Sequence, residues 1–335
     1  MKASFLLMLT LLLLIFTAGC TDHAIIEDPL QFKSAEFSSG LMAPLGITQG
    51  ANNYLWVTEQ GTGQGNSGRV SVITPDGKIW PAITGFKSDI SPEQTPSGLT
   101  HLSYKDGKLY ILHGVLGKLF IADVSNFKPG VTPAMDAAAL PNETINLFVL
   151  GSAFKVHKHE SNIYNLTWGP NGDLYITDAA ANAIVKRSPD KSLAIFAEFP
   201  PYDNQGQKVD FVPTGIVYDG TKFLVSSLSG FPFVPGLATI QQVDKAGNVS
   251  LYKSGFTTLV DIVLTPTNKP LVLSFAQFSF SPPPPGFVPN TGKISNEDGT
   301  TIMDGIMMAT DIERTDDKTY VVLSMALGKI FKLTY

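Results

Sequence analysis

Asn165-Leu166-Thr167-Trp168-Gly169-Pro170-Asn171-Gly172-Asp173-Leu174-Tyr175-Ile176-Thr177 reads as a strand, a tight turn and a second strand. The Asn-Gly step tolerates the positive φ that a short hairpin turn requires. The same plan recurs along the chain, ending in Leu55-Trp56-Val57-Thr58, Leu109-Tyr110-Ile111-Leu112, Phe223-Leu224-Val225-Ser226, Leu271-Val272-Leu273-Ser274 and Tyr320-Val321-Val322-Leu323. The units open at Gly46, Gly98, Asn165, Gly215, Asp261 and Asp311, which lie 52, 67, 50, 46 and 50 positions apart. A repeat of this length is one supersecondary unit stacked on its neighbours.

Turn chemistry recurs in register. Asn52-Asn53, Asp106-Gly107, Asn171-Gly172, Asp219-Gly220, Asn268 and Asp316-Asp317 stand between the first and second strands. A second set, Pro75-Asp76-Gly77, Pro189-Asp190, Ala246-Gly247-Asn248 and Asp298-Gly299, follows the third strand. Two hairpins per unit give four antiparallel strands, the signature of a propeller blade. The expected fold is therefore all-β: a six-bladed β-propeller with four-stranded antiparallel blades. The wide gap of 67 is read as an insertion between about Asp123 and Glu143, in which Pro133 to Ala139 is expected to form a short helix. A second insertion, Ser281 to Pro289, holds four consecutive prolines and belongs outside the sheets.

After Asp311 only 24 residues remain, enough for three strands. Ala35-Glu36-Phe37-Ser38-Ser39-Gly40-Leu41 matches Leu251 to Phe256, the stretch before the fifth unit. The N-terminal strand is thus expected to complete the last blade and close the ring.

The N-terminus sets the compartment. Lys2 precedes an apolar run from Ala3 to Phe16, and Thr17-Ala18-Gly19-Cys20 follows it. The run is shorter than the roughly 20 residues of a membrane-spanning helix and has the length of a signal-peptide core. Small residues before a cysteine at this place resemble a bacterial lipobox, with Thr17 where leucine is usual. The expectation is cleavage before Cys20, the only cysteine in the chain, and lipidation of its thiol. Domains are then a signal peptide over 1–19, a lipidated tether over 20–31 and the propeller over 32–335. Thr21 in place of aspartate points to the outer membrane, facing the periplasm or the surface. Loss of Lys2 moves the net charge from −5 to −6, and charged residues make up only 16% with no basic run, which argues against a nucleic-acid partner.

Glu160-Ser161-Asn162-Ile163-Tyr164, Val212-Pro213-Thr214-Gly215 and Ser229-Gly230-Phe231-Pro232-Phe233-Val234-Pro235-Gly236 resemble recurring motifs of the ScyD/ScyE family of NHL-like propellers, over roughly Leu41 to Tyr335. The resemblance implies an exported six-bladed propeller and no particular reaction.

Two rings of residues are expected at one channel mouth. Gly46, Gly98, Asn165, Gly215, Asp261 and Asp311 open the first strands; Glu59, His113, Asp178, Ser227, Phe275 and Ser324 close the second ones. One face would gather Asn165, Asp261, Asp311, Glu59, Asp178 and His113, oxygen-rich ligands suited to Ca²⁺. Six-bladed lactonases of the gluconolactonase and paraoxonase type hold such an ion with Glu, Asn and Asp. This chain departs from them, with no glutamate in the first ring and glycine at three of its six positions. The competing reading of Asp261 and Asp311 is structural, each accepting backbone N–H groups of the next blade. His157 and His159 would share a strand face and, with the nearby Glu160, bind a transition metal weakly, or else sit in a solvated loop. Phe275, Phe278, Phe280 and Phe287 pack the proline loop or form a binding patch. No serine elbow, phosphate loop or cysteine-based chemistry is present. Two functions follow: a lipid-anchored binding or scaffold module whose face takes a small-molecule or protein ligand, and a metal-dependent hydrolase or lactonase.

Overall fold

The computed structural model describes residues 27–146, 160–281 and 284–335. The signal peptide, Cys20, His157 and His159 lie outside the described residues.

Six antiparallel sheets surround a channel. Their inner strands are Pro44–Gln49, Leu99–Lys105, Ile163–Trp168, Pro213–Tyr218, Leu259–Leu264 and Ala309–Asp316, defining blades 1 to 6. The expected hairpin turns do bring positive φ, at Asn52 (59°), Asp106 (50°), Asn171 (61°) and Asn268 (66°).

The hydrophobic core lies between blades. Trp56, Val70, Val72 and Ala82 of blade 1 cluster with Leu99, Leu109, Ile111 and Phe120 of blade 2. The remaining junctions repeat this, ending where Val321, Leu323 and Ile330 of blade 6 meet Ile47, Val57 and Ile73 of blade 1. Each blade is apolar on both faces because both faces are covered.

The ring closes through the N-terminal strand Lys33–Ser39, which runs antiparallel to Lys329–Thr334 with Lys33 opposite Thr334 and Ser39 opposite Lys329. Phe32, just before it, is 7% exposed and packs on Tyr320 and Tyr335 at centroid distances of 5.1 and 5.8 Å.

The insertion after Asp123 departs from expectation. Instead of a helix, Met135–Asp136 pairs in parallel with Ile83 and Thr84, adding a fifth strand to blade 1, and only Ala137–Ala139 turns as one 3₁₀ step capped by Asp136. Three alanines are too few to offset helix nucleation, and the outer strand of blade 1 offers unpaired backbone groups.

Candidate functional site

Every blade carries the same irregularity at the channel. Pro44 pairs with Glu59 and Ile47 with Val57, so three steps on the inner strand face two on its neighbour, and blades 2, 3, 4 and 6 repeat this at Leu99/Leu102, Ile163/Leu166, Pro213/Ile216 and Ala309/Ile312. A bulge of this kind bends the strand and re-aims one side chain. Hydroxyl groups on the second strand satisfy the displaced N–H: Gly46 N donates to Thr58 Oγ1 at 2.9 Å, Asn165 N to Thr177 Oγ1 at 3.0 Å and Gly215 N to Ser226 Oγ at 3.0 Å.

This register corrects both rings. In blade 2 the position matching Gly46 is His101, three residues after Gly98, because Leu99 stands where Pro44 stands. In blade 5 the end of the second strand is Ser274, opposite Leu259, and not Phe275. The first ring is therefore Gly46, His101, Asn165, Gly215, Asp261 and Asp311. Its two glycines face one another across the ring, on blades 1 and 4, and both are there for space. A Cβ on Gly46 would lie 2.6 Å from His101 Cα, and one on Gly215 would lie 2.7 Å from Asp261 Cα. Across these gaps His101 Nε2 faces Asp311 Oδ2 at 3.6 Å, and Asn165 Nδ2 donates to Asp261 Oδ1 at 3.0 Å.

The ring also stitches blades together. Asp261 Oδ2 accepts from Ile312 N at 3.0 Å, and Asp311 Oδ2 accepts from Ile47 N at 2.7 Å. Threonine hydroxyls bridge the other junctions: Thr58 to Thr100 O, Thr100 to Ile163 O, Thr177 to Thr214 O and Thr214 to Leu259 O. The structural reading of Asp261 and Asp311 thus describes bonds that both make. Burial pushes both carboxyls above the ordinary aspartate range, and the neighbouring Asp261 charge raises Asp311 further. Burial likewise lowers His101 to about 4, which keeps its ring neutral.

Glu59, Asp178 and His113 do not join this cluster. They sit opposite the first residue of each inner strand and hold loops at that end. Glu59, fully buried, accepts from Arg69 Nε and Nη2 at 2.7 and 2.8 Å, from Ser71 Oγ at 2.5 Å and from Met42 N at 2.5 Å. Asp178 accepts from Asn162 N and Ala181 N at 2.8 and 3.1 Å, with burial raising its carboxyl. His113 Nε2 donates to the Lys87 carbonyl at 3.0 Å, and burial takes its pKa down to about 4. So the six candidates divide: Asn165, Asp261 and Asp311 meet in the channel, and the other three are committed to neighbouring backbone or side chains.

The channel cavity, about 300 Å³, is lined by Asp261, Asp311 and residues further along the inner strands, such as Gln49, Tyr104, Trp168, Val263 and Glu313. Burial raises Glu313 to about 7. The cavity thus opens where the inner strands end. The loop 228–237 follows Ser227, which is opposite Pro213 at the start of an inner strand, so it lies at the other end. There Phe231 packs on Phe278 and Phe280 at 5.9 and 5.8 Å, and Phe233 on Phe287 at 5.1 Å. Phe278 and Phe287 are cross-strand partners in a small hairpin that pairs the flank before the second insertion with its far end. Phe231 and Phe280 remain 65% and 56% exposed.

No family model matches the chain, and no curated protein does. Solved structures do. Virginiamycin B lyase from Staphylococcus aureus is 17% identical, with a TM-score of 0.52 over 91% of this chain and all of its own. A gluconolactonase from Xanthomonas campestris is 11% identical, with a TM-score of 0.58 over 94% of this chain and 93% of its own. The PQQ-bound aldose sugar dehydrogenase from Streptomyces coelicolor is also 11% identical, with a TM-score of 0.56 over 92% and 99%. Proteins of such different chemistry share architecture and not a site. At these identities the likeness shows the fold alone: the chain is a six-bladed β-propeller.

Proposed function

We propose that this chain is an exported lipoprotein of the ScyD/ScyE type, a propeller tethered to the cell envelope that binds a macromolecular partner through its loop face. The supporting observation is the aromatic patch around Phe231 and Phe280, exposed at the end of the ring away from the channel cavity. Large apolar side chains clustered and left in water suit a protein partner, where aromatic residues concentrate at the centre of contact. Asp261 and Asp311 each accept a backbone N–H from another blade, which gives both a part in holding the ring together. Cys20 supplies the anchor in this reading, and the apolar segment before it the export signal.

The anchor is tested by cell fractionation. Cys20→Ala is expected to leave the protein unlabelled by a fatty-acid probe and to move it from the membrane to the soluble fraction. Retention of both label and membrane association would remove the lipoprotein from the account. Turnover of lactones or esters by the purified protein, lost on Asp261→Asn, would favour the hydrolase reading instead.

A further inference from the structure

His101 makes a bond that fixes what its other nitrogen is. Nδ1 lies 2.9 Å from the carbonyl oxygen of Tyr164, which can only accept, so Nδ1 carries the proton. The neutral ring then presents an unshared pair at Nε2. That atom belongs to a side chain 1% exposed and has no hydrogen-bond partner. It points at Asp311 Oδ2, 3.6 Å away, a distance too long for a hydrogen bond. An acceptor buried against a carboxylate calls for a proton or a cation between them. One ligand atom from each of His101, Asp261 and Asp311 lies within 4.8 Å of the other two.

We propose that His101 Nε2, Asp261 and Asp311 bind one divalent transition-metal ion, of zinc-like chemistry, at the centre of the channel. Zinc bonds of roughly 2.0 to 2.2 Å to nitrogen and oxygen place tetrahedral ligand atoms about 3.3 to 3.6 Å apart. The His101 to Asp311 separation already meets that, and an Asp261 carboxylate oxygen lies within 4.8 Å of both. One imidazole with two carboxylates suits zinc, whereas calcium takes some 6 to 8 oxygens. The supporting shell is in place as well. Tyr164 O orients the imidazole, Ile47 N holds Asp311, and Asn165 Nδ2 and Ile312 N hold Asp261. Entry is through the channel cavity, which both carboxylates line. The ion joins blades 2, 5 and 6, so its effect is to pin the ring. This inference does not rest on the loop-face reading, since the patch and the channel cavity lie at opposite ends.

The test uses the unlipidated mature protein stripped with a chelator and titrated with Co²⁺, then with Zn²⁺. The expected result is one Co²⁺ per chain with visible d–d bands, displacement by Zn²⁺, and a Tm several degrees higher with either ion. His101→Gln should lose the bands and at least tenfold in affinity. The double variant His157→Ala/His159→Ala, at histidines that are not part of the proposed ligand set, should keep both. Stripped wild type that takes up no stoichiometric Co²⁺ overturns the site. So does full binding by folded His101→Gln, or loss of binding in the double variant. Should His101→Gln fail to fold, the wild type and the double variant decide between the same outcomes.

Discussion

A chain beginning at Gly40 is expected to melt on the order of 10 °C below one beginning at Thr21, and to aggregate on heating. Removing residues through Ser39 takes the outer strand from blade 6 and with it the pairing from Lys33–Thr334 to Ser39–Lys329. The strand Lys329–Thr334 becomes an open edge, which invites association with other chains. Phe32 leaves too, and loss of a buried phenylalanine side chain alone costs about 3 to 5 kcal/mol. Further contacts follow: Ser38 Oγ donates to Gly77 O at 2.9 Å, and Lys329 pairs with Glu36 at 2.7 Å. Trimming an unattached tail costs almost nothing. Differential scanning calorimetry on the two chains decides it. Equal melting temperatures would mean the strand adds nothing to ring closure.

Glu59→Ala is the point substitution with the largest expected cost, about 3 to 5 kcal/mol in urea unfolding. The carboxylate is fully buried and collects Arg69, Ser71 Oγ and Met42 N around itself. Truncation leaves the Arg69 guanidinium, with only a quarter of its side chain in water, facing a cavity without a counter-charge. It also frees Met42 N, in the segment that leads from the closing strand into blade 1. Glu59→Gln keeps the shape and loses the charge, so it should fall between. A loss below about 1 kcal/mol for Glu59→Ala would show that the buried pair is offset by its own desolvation. The comparison also separates roles, because a residue at this position does not reach the channel cavity.

Blade number and ring closure were legible because they depend on local chemistry. Asn171-Gly172 and Asp106-Gly107 tolerate the positive φ that tight turns require, and apolar runs such as Leu174-Tyr175-Ile176 suit strands covered on both faces. The channel ring was legible only in part. Asn165, Asp261 and Asp311 stand out as polar residues opening a strand, and the structure brings them together. His101 was missed because Gly98 looks like Gly46 and Gly215, three residues too early. The better marker is the threonine before the ring position, in Thr100-His101, Thr214-Gly215 and Thr310-Asp311. Each donates through its hydroxyl to a carbonyl of the next blade, at 3.0, 2.9 and 3.2 Å. A bulge shifts the register by one, and no pattern of alternation reveals which strand carries the extra residue. The insertion at Met135 was illegible for another reason, since its partner strand belongs to the preceding blade.

The aromatic face carries the functional reading, so it supplies the most direct test. A photo-reactive phenylalanine analogue placed at Phe231, in the Cys20-anchored protein in intact cells, is expected to give one discrete crosslinked product on irradiation. The same analogue at Lys245, exposed on a turn between the outer strands of blade 4, should give none. A product at both positions, or at neither, would contradict a partner-binding loop face.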